Sequence, residues 1–181
     1  VAKRGALMQR EGYRNPGGMR AVLGLNIESV ESIVGRCNGF IVTAANHNTP
    51  EQIVISGSVE GLDAATKLAE EAGGKVIPLN VSVANHSPLV AGAVDDFASF
   101  MSDIEFSAPD VPVLFNVSAD VETHPDKMKQ MMARQIATKV RGCEIIEKMI
   151  ADGVDTFIEV GPKTVLKGMI RKIVPKTVKV N

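Results

Sequence analysis

The side chains best suited to moving a proton in this sequence are its three histidines, His47, His86 and His124. His86 lies in the run Val83-Ala84-Asn85-His86-Ser87-Pro88, where Ser87-Pro88 has the pattern of a helix N-cap followed by proline at the first helical position. An imidazole at a strand-to-helix junction stands at the end of an element, where catalytic groups commonly sit, and its ordinary pKa suits it to take and return a proton. The same pattern also fits a plain turn that His86 merely fills, and taken alone the turn is the commoner case. His47, flanked by asparagines in Asn46-His47-Asn48-Thr49-Pro50, reads as a solvated loop residue, and His124, before Pro125, as a surface one. The three histidines share no metal-ligand spacing, and two cysteines, Cys37 and Cys143, cannot form a cluster, so no metal site is expected.

A Ser–His acyl-transfer site needs its nucleophile on a tight turn, usually G-x-S-x-G. That motif is absent: Ser56-Gly57-Ser58-Val59-Glu60-Gly61 has the wrong spacing and reads as a strand end followed by a helix cap. No G-x-G-x-x-G or P-loop occurs either. Arg4 is a candidate anion clamp, although a lone arginine is in isolation more simply a surface cation.

Composition narrows the function classes. The chain has 181 residues, 45% hydrophobic and 23% charged, with 20 basic and 21 acidic residues and a net charge of -1. That balance argues against a nucleic-acid surface and a polybasic membrane anchor. Aromatics are 4%, with no Trp and one Tyr, which speaks against base-stacking platforms. No apolar run approaches a membrane span, and the sparse cysteines make a reducing cytoplasm the default location. The opening Val1-Ala2-Lys3-Arg4-Gly5-Ala6-Leu7-Met8 reads like the middle of a helix, as if the chain starts partway through a domain.

The elements that must position these residues fall into two groups. In residues 17–81, a strand is expected over 19–25, then a helix capped by Asn26 with Ile27, Val30, Ile33, Val34 and Cys37 at helical spacing. A strand over 40–45, a turn-rich stretch, and a strand over 52–56 follow. Ser58 caps a second helix ended by Gly73-Gly74, and 75–81 reads as a fourth strand. The order is β-α-β-β-α-β, the ferredoxin-like split pattern.

After it, Leu89, Val90, Ala93, Val94, Phe97, Phe100 and Met101 read as one amphipathic helix, and 111–117 as a strand. Helices carrying Met128, Met131, Met132 and Ile136, then Ile145, Ile146, Met149 and Ile150, precede a strand over 155–160 and a last helix stopped at Pro175. Strands alternating with helices imply parallel pairing. Two such strands cannot be covered on both edges, so this group reads as the C-terminal part of a larger α/β sheet.

In order, these segments resemble malonyl-CoA:acyl carrier protein transacylases of fatty-acid synthesis and the related acyltransferase domains of polyketide synthases. The likeness covers nearly the whole chain. It rests on Arg4-Gly5-x-x-Met8-Gln9, Gly18-Met19-x-Ala21-Val22-x-Gly24-Leu25, Asn46-x-Asn48-Thr49-Pro50-x-Gln52-Ile53-Val54-Ile55-Ser56-Gly57 and Val81-Ser82-x-x-x-His86-Ser87-x-Leu89. Phe115-Asn116-Val117, Arg134-Gln135 and Glu159-Val160-Gly161-Pro162-x-x-Val165-Leu166-x-Gly168 complete it. Each is weak alone; in this order they are specific.

The resemblance implies a ferredoxin-like small subdomain at 17–81, with 1–16 and 82–181 belonging to an α/β-hydrolase-like large subdomain. It implies ping-pong transfer of malonyl from coenzyme A to the carrier-protein thiol, with no cofactor. His86 would be general base and acid, oriented by the backbone carbonyl of Gln135. Arg4 would clamp the malonyl carboxylate, Asn46 and Asn48 would line the acyl-CoA cleft, and Met19 would pack as a wall. The family's F-P-G-Q-G and G-H-S-x-G segments have no counterpart, so the 181 residues alone are expected to be inactive. Two positions depart from the family. Lys139-Val140-Arg141-Gly142 stands where P-V-x-W is frequent, and Asn85 matches neither common residue before the histidine. Malonyl preference is expected from Arg4, not from Asn85. The competing expectations are a polyketide-type domain using another extender and a non-enzymatic βαββαβ effector-binding module, which leaves Arg4 and the His86 run unexplained.

Overall fold

A computed structural model describes residues 1–181. Helix α1 (Ala2–Arg14) leads into strand β1 (Gly18–Leu23). Helix α2 (Ile27–Arg36) starts where the Asn26 side chain accepts from the Ser29 N–H at 3.0 Å. Strands β2 (Val42–Thr49) and β3 (Gln52–Gly57) form a hairpin. Helix α3 (Val59–Glu71) is capped by Ser58, whose hydroxyl accepts from the Gly61 N–H at 3.1 Å. Gly73, at φ +88, ends that helix in the left-handed conformation that glycine tolerates. Strand β4 (Lys75–Pro78) closes the β-α-β-β-α-β order expected from the sequence.

The four strands form one antiparallel sheet in the order β2-β3-β1-β4. Successive strand residues point to opposite faces, so the sheet packs on both sides. Val22, Ala44, Ile53 and Ile55 meet Val30, Ile33, Leu62, Ala65 and Ala69 from the two helices. Met19, Ala21, Ala45 and Val54 form a smaller cluster. Fully burying a side chain such as Ile53 stabilises by about 1.5–3 kcal/mol, so the helix-covered side is the anchor of this sheet.

The segment that follows β4 packs on α1. A 3-10 turn (Pro88–Val90) and helix α4 (Gly92–Ser102) bury Val90, Ala93, Phe97 and Met101 against Leu7, Val83, Ala133 and Ile136. A short hairpin of β5 (Leu114–Phe115) and β6 (Asp120–Val121) precedes helices α5 (Pro125–Arg134) and α6 (Gly142–Ala151), and α6 packs on β2. Strand β7 (Thr156–Phe157), helix α7 (Val165–Ile170) and strand β8 (Lys179–Val180) complete a mixed α/β chain.

Three sequence expectations are corrected. First, β2 runs through Asn46–Thr49, which composition reads as a loop. Pairing with β3 and two register shifts, between Ala44 and Asn46 and between His47 and Thr49, accommodate these residues, leaving only Pro50 and Glu51 to turn. Second, the helix expected from Leu89 is divided into the 3-10 turn and α4. The hydrophobic spacing persists across the break and cannot reveal it. Third, the strands expected at 111–117 and 155–160 are two residues each and do not pair with one another. β5 pairs antiparallel with β6, and β7 pairs parallel with β8. An apolar run marks burial potential, but a ladder needs a partner edge: beyond Phe157 the pairing continues in one bond, from the Glu159 N–H to the Asn181 carbonyl at 3.1 Å, and Ile158 is 70% and Val160 94% exposed.

Candidate active site

The segment from Gln135 to Arg141, between α5 and α6, ties the candidate residues together. His86 is held to it twice. Its backbone N–H donates to the Ile136 carbonyl at 3.0 Å, and its Nδ1 lies 2.9 Å from the Gln135 carbonyl oxygen. A carbonyl carries no proton, so Nδ1–H donates and Nε2 of the neutral ring keeps its lone pair. His86 also has φ +59, an uncommon backbone conformation for a residue with a side chain. Below it, the Ser87 hydroxyl donates to the Ala84 carbonyl at 2.7 Å and accepts from the Leu89 N–H, holding the turn from a fully buried position.

Burial pushes the His86 pKa below its ordinary value, and the Arg4 charge pushes it the same way, while backbone hydrogen bonding to Gln135 and Thr138 opposes both. The ring is therefore neutral near pH 7, and its free nitrogen can accept a proton.

Arg4 approaches Gln135 from α1. Its Nη2 donates to the Gln135 side-chain Oε1 at 2.6 Å. Arg10, Arg14, Arg20 and Arg141 each pair with a carboxylate. Arg4, half-buried, has a neutral amide as its partner, and burial lowers its pKa. A guanidinium has five N–H donors and stays charged, so this one has donors and charge left for an anion. Arg4 and Gln135 line a cavity of about 250 Å³ walled by Phe97, Leu114, Phe115 and Met132.

The same segment reaches the sheet. The Val140 N–H donates to the Ala45 carbonyl at 2.8 Å, the His47 N–H donates to the Val140 carbonyl at 2.9 Å, and Asn46 forms a bridge with Val140. Lys139 Nζ donates to Glu31 Oε1 at 2.7 Å, and the Arg141 N–H donates to the Asn116 carbonyl. Val140 thus docks this segment on β2 through two main-chain bonds, while Lys139 ties it to α2 and Arg141 to Asn116.

The structure brings Arg4, Gln135 and His86 together and connects Asn46 to them through the backbone of Val140. Asn48 lies farther along the same strand, half-buried. Met19 sits in the small cluster with Ala45 and Val54, beside these strands rather than in the cavity. His47 corrects the sequence reading: it is 8% exposed, and its Nδ1 lies 3.0 Å from Glu144 Oε2. Flanking asparagines hide its burial in sequence, because the partner lies on α6. His124 is exposed ahead of α5, as expected. No group of three or more His, Cys, Asp or Glu converges to hold a metal, and no helix is long and apolar enough to cross a membrane.

Residues 1–180 match the model of the acyl transferase domain family. The chain is 40% identical over 176 residues to the malonyl CoA-acyl carrier protein transacylase of Bacillus subtilis, covering 96% of this chain and 56% of that protein. It is 36% identical to the enzyme of that name in Escherichia coli, again over 96% of this chain and 57% of the relative. Among solved structures, an acyl carrier protein S-malonyltransferase from Vibrio cholerae superposes with TM-score 0.94 at 38% identity, covering 99% of this chain and 59% of that one. A malonyl-transacylase in complex with a type II polyketide acyl-carrier protein superposes at 0.91 with 35% identity, covering 94% and 56%. The chain therefore spans somewhat over half the length of the relatives it matches.

Proposed function

This chain belongs to the acyl transferase domain family, and from that premise we propose that the protein carrying it transfers malonyl from coenzyme A to the phosphopantetheine thiol of an acyl carrier protein in fatty-acid synthesis. The observation that carries this reading is the pair of bonds on Gln135. Its carbonyl fixes the His86 tautomer, and its side chain holds Arg4 beside the cavity.

In the reaction, His86 Nε2 takes the proton from a serine hydroxyl as the serine oxygen bonds to the thioester carbon. The carbon–sulfur bond to coenzyme A breaks, and the imidazolium returns its proton to the departing sulfur. In the second half, His86 takes the proton of the carrier-protein thiol, whose sulfur attacks the acyl-serine, and the serine oxygen recovers that proton. Orientation by a neutral carbonyl fits a base that must cycle between neutral and cationic forms. The carbonyl holds the ring in both states, because Nδ1 carries a proton in each.

Arg4 supplies the charge for the free malonyl carboxylate. Bidentate contact gives direction as well as attraction, and a hydrogen bond to a charged group contributes roughly 1.5–3 kcal/mol. Asn46 and Asn48 line the acyl-CoA side of the cleft, with Met19 packed behind them; the Val140 bridge supports this by holding β2 against the Gln135 segment. No cofactor is required, and malonyl-CoA and the carrier protein are the partners.

Residues 17–81 form a ferredoxin-like small subdomain in this reading, supported by the β2-β3-β1-β4 order. Residues 1–16 and 82–181 belong to the α/β-hydrolase-like large subdomain, supported by the shared core of α1, α4 and α5. With no G-x-S-x-G among them, the 181 residues by themselves lack the nucleophile and are expected not to turn over. Malonyl transfer by the intact protein to a holo-carrier protein, run beside methylmalonyl-CoA, tests the activity and the extender together. Absence of transfer from malonyl-CoA contradicts the reading, and faster methylmalonyl transfer points to a polyketide-type extender.

A further inference from the structure

Gly142, the first residue of α6, faces the backbone of strand β2. A Cβ on Gly142 would stand 3.1 Å from the His47 carbonyl oxygen, so α6 begins in close contact with the β2 backbone. Immediately after Gly142 and Cys143, Glu144 extends its carboxylate to His47, with Oε2 at 3.0 Å from Nδ1. The His47 side chain is 10% and the Glu144 side chain 26% exposed, which shelters the contact. Arg141 holds the other oxygen: its Nε lies 3.5 Å from Glu144 Oε1, while its Nη1 donates to the Ser118 carbonyl at 2.7 Å.

We propose that the His47–Glu144 pair, braced by Arg141, is a positioning device that keeps β2 seated on the Gln135–Arg141 segment. The backbone bonds made at this seat are few: His47 N–H to Val140, and Val140 N–H to Ala45. They lie between the two register shifts of β2, where only Asn46 and His47 pair with β3 in one continuous register. A side-chain contact from His47, whose own N–H makes one of these bonds, restrains the strand there. Because Asn46 and Asn48 flank His47 on the strand, the pair sets where the acyl-CoA face of the cleft stands relative to His86. That consequence rests on the acyl-transfer reading; the seating of the strand does not.

The test uses the intact protein, with Glu144→Ala and the conservative Glu144→Gln, whose side-chain oxygen can still accept from Nδ1–H. Amide hydrogen exchange is expected to quicken about tenfold at His47 and Val140 in Glu144→Ala, with amides of the β1–β4 ladder unchanged, because only the local opening loses a restraint. Glu144→Gln restores the protection. In the transfer assay, Glu144→Ala raises KM for malonyl-CoA about three- to tenfold, leaves kcat within about twofold, and Glu144→Gln recovers the lower KM. His47→Leu, which removes Nδ1 from the other side, gives the same exchange pattern. Unchanged protection at His47 and Val140 in both Glu144→Ala and His47→Leu overturns the proposal. An intact protein that transfers no malonyl contradicts the functional reading instead, and the exchange measurement still decides the positioning role.

Discussion

Arg4 and His86 hold the same residue from opposite ends: Arg4 Nη2 donates to the Gln135 side chain at 2.6 Å, and His86 Nδ1 donates to the Gln135 carbonyl at 2.9 Å. The candidate carboxylate clamp and the candidate base are thus set by one residue. Its two functions separate chemically, because a substitution can remove the amide side chain but not the carbonyl.

Gln135→Ala is therefore expected to act on binding rather than on the base. Losing one hydrogen bond of about 0.5–1.5 kcal/mol loosens Arg4 and raises KM for malonyl-CoA about two- to tenfold, with kcat nearly unchanged. Steady-state kinetics check this. A collapse of kcat with KM intact would show that the side chain, not the carbonyl, serves His86.

Arg4→Ala removes a half-buried cation that has no carboxylate partner within the chain. It is expected to lower kcat/KM for malonyl-CoA about 10- to 150-fold, from the 1.5–3 kcal/mol of a charged hydrogen bond. Transfer from acetyl-CoA, which has no free carboxylate, should be unimpaired. Thermal unfolding should move little, since no buried ion pair is broken. Equal losses with both substrates would exclude the clamp.

The pH dependence follows from the lowered His86 pKa. A base held below the ordinary 6.5 stays neutral at pH 7, so kcat/KM should be level from neutrality upward and fall only below about 6.5. Stability follows with the same sign. The unfolded chain binds the proton more readily, so stability is full above the unfolded pKa and is lost as pH falls toward the folded one. His86→Gln should flatten the part of the acid-induced stability loss that belongs to this window. Denaturant midpoints at several pH values measure it, and an unchanged slope would contradict the assignment.

Neither cysteine is built to react. Burial, then the neighbouring Glu147 and Glu144, push the Cys143 thiol up to about 12, and burial raises Cys37. Both should resist iodoacetamide in the folded protein near pH 8 and label on unfolding, because the thiolate is the attacking species. Mass spectrometry of peptides distinguishes the two states. Rapid labelling of native Cys143 would contradict the buried placement.

What could be read in advance was what is encoded locally. The Asn26 and Ser58 caps, the helical spacing of Val30 and Ile33, and the β-branched run Ile53–Ile55 each declare their element within a few residues. The junction at His86 was legible for the same reason. The amide contact from Gln135 to Arg4 was not, because 131 positions separate the partners. The polar neighbours of His47 conceal its burial, since what buries it is α6, supplied by a distant segment. β2 lasts longer than its composition suggests because β3 and Val140 complete its hydrogen bonds from either side. The short strands β5 and β7 show the converse: the apolar runs over 111–117 and 155–160 each pair over only two residues, with partners at 120–121 and 179–180 that their own composition does not announce.

The most direct measurement is malonyl transfer from coenzyme A to a holo-acyl carrier protein by the intact protein, with and without His86→Ala. The intact protein is expected to load the carrier thiol, and His86→Ala to lower kcat/KM about 10²- to 10⁴-fold, the range of a lost general base, with its folded circular-dichroism spectrum retained. Transfer by His86→Ala at the unsubstituted rate would contradict the assignment of His86 as the base.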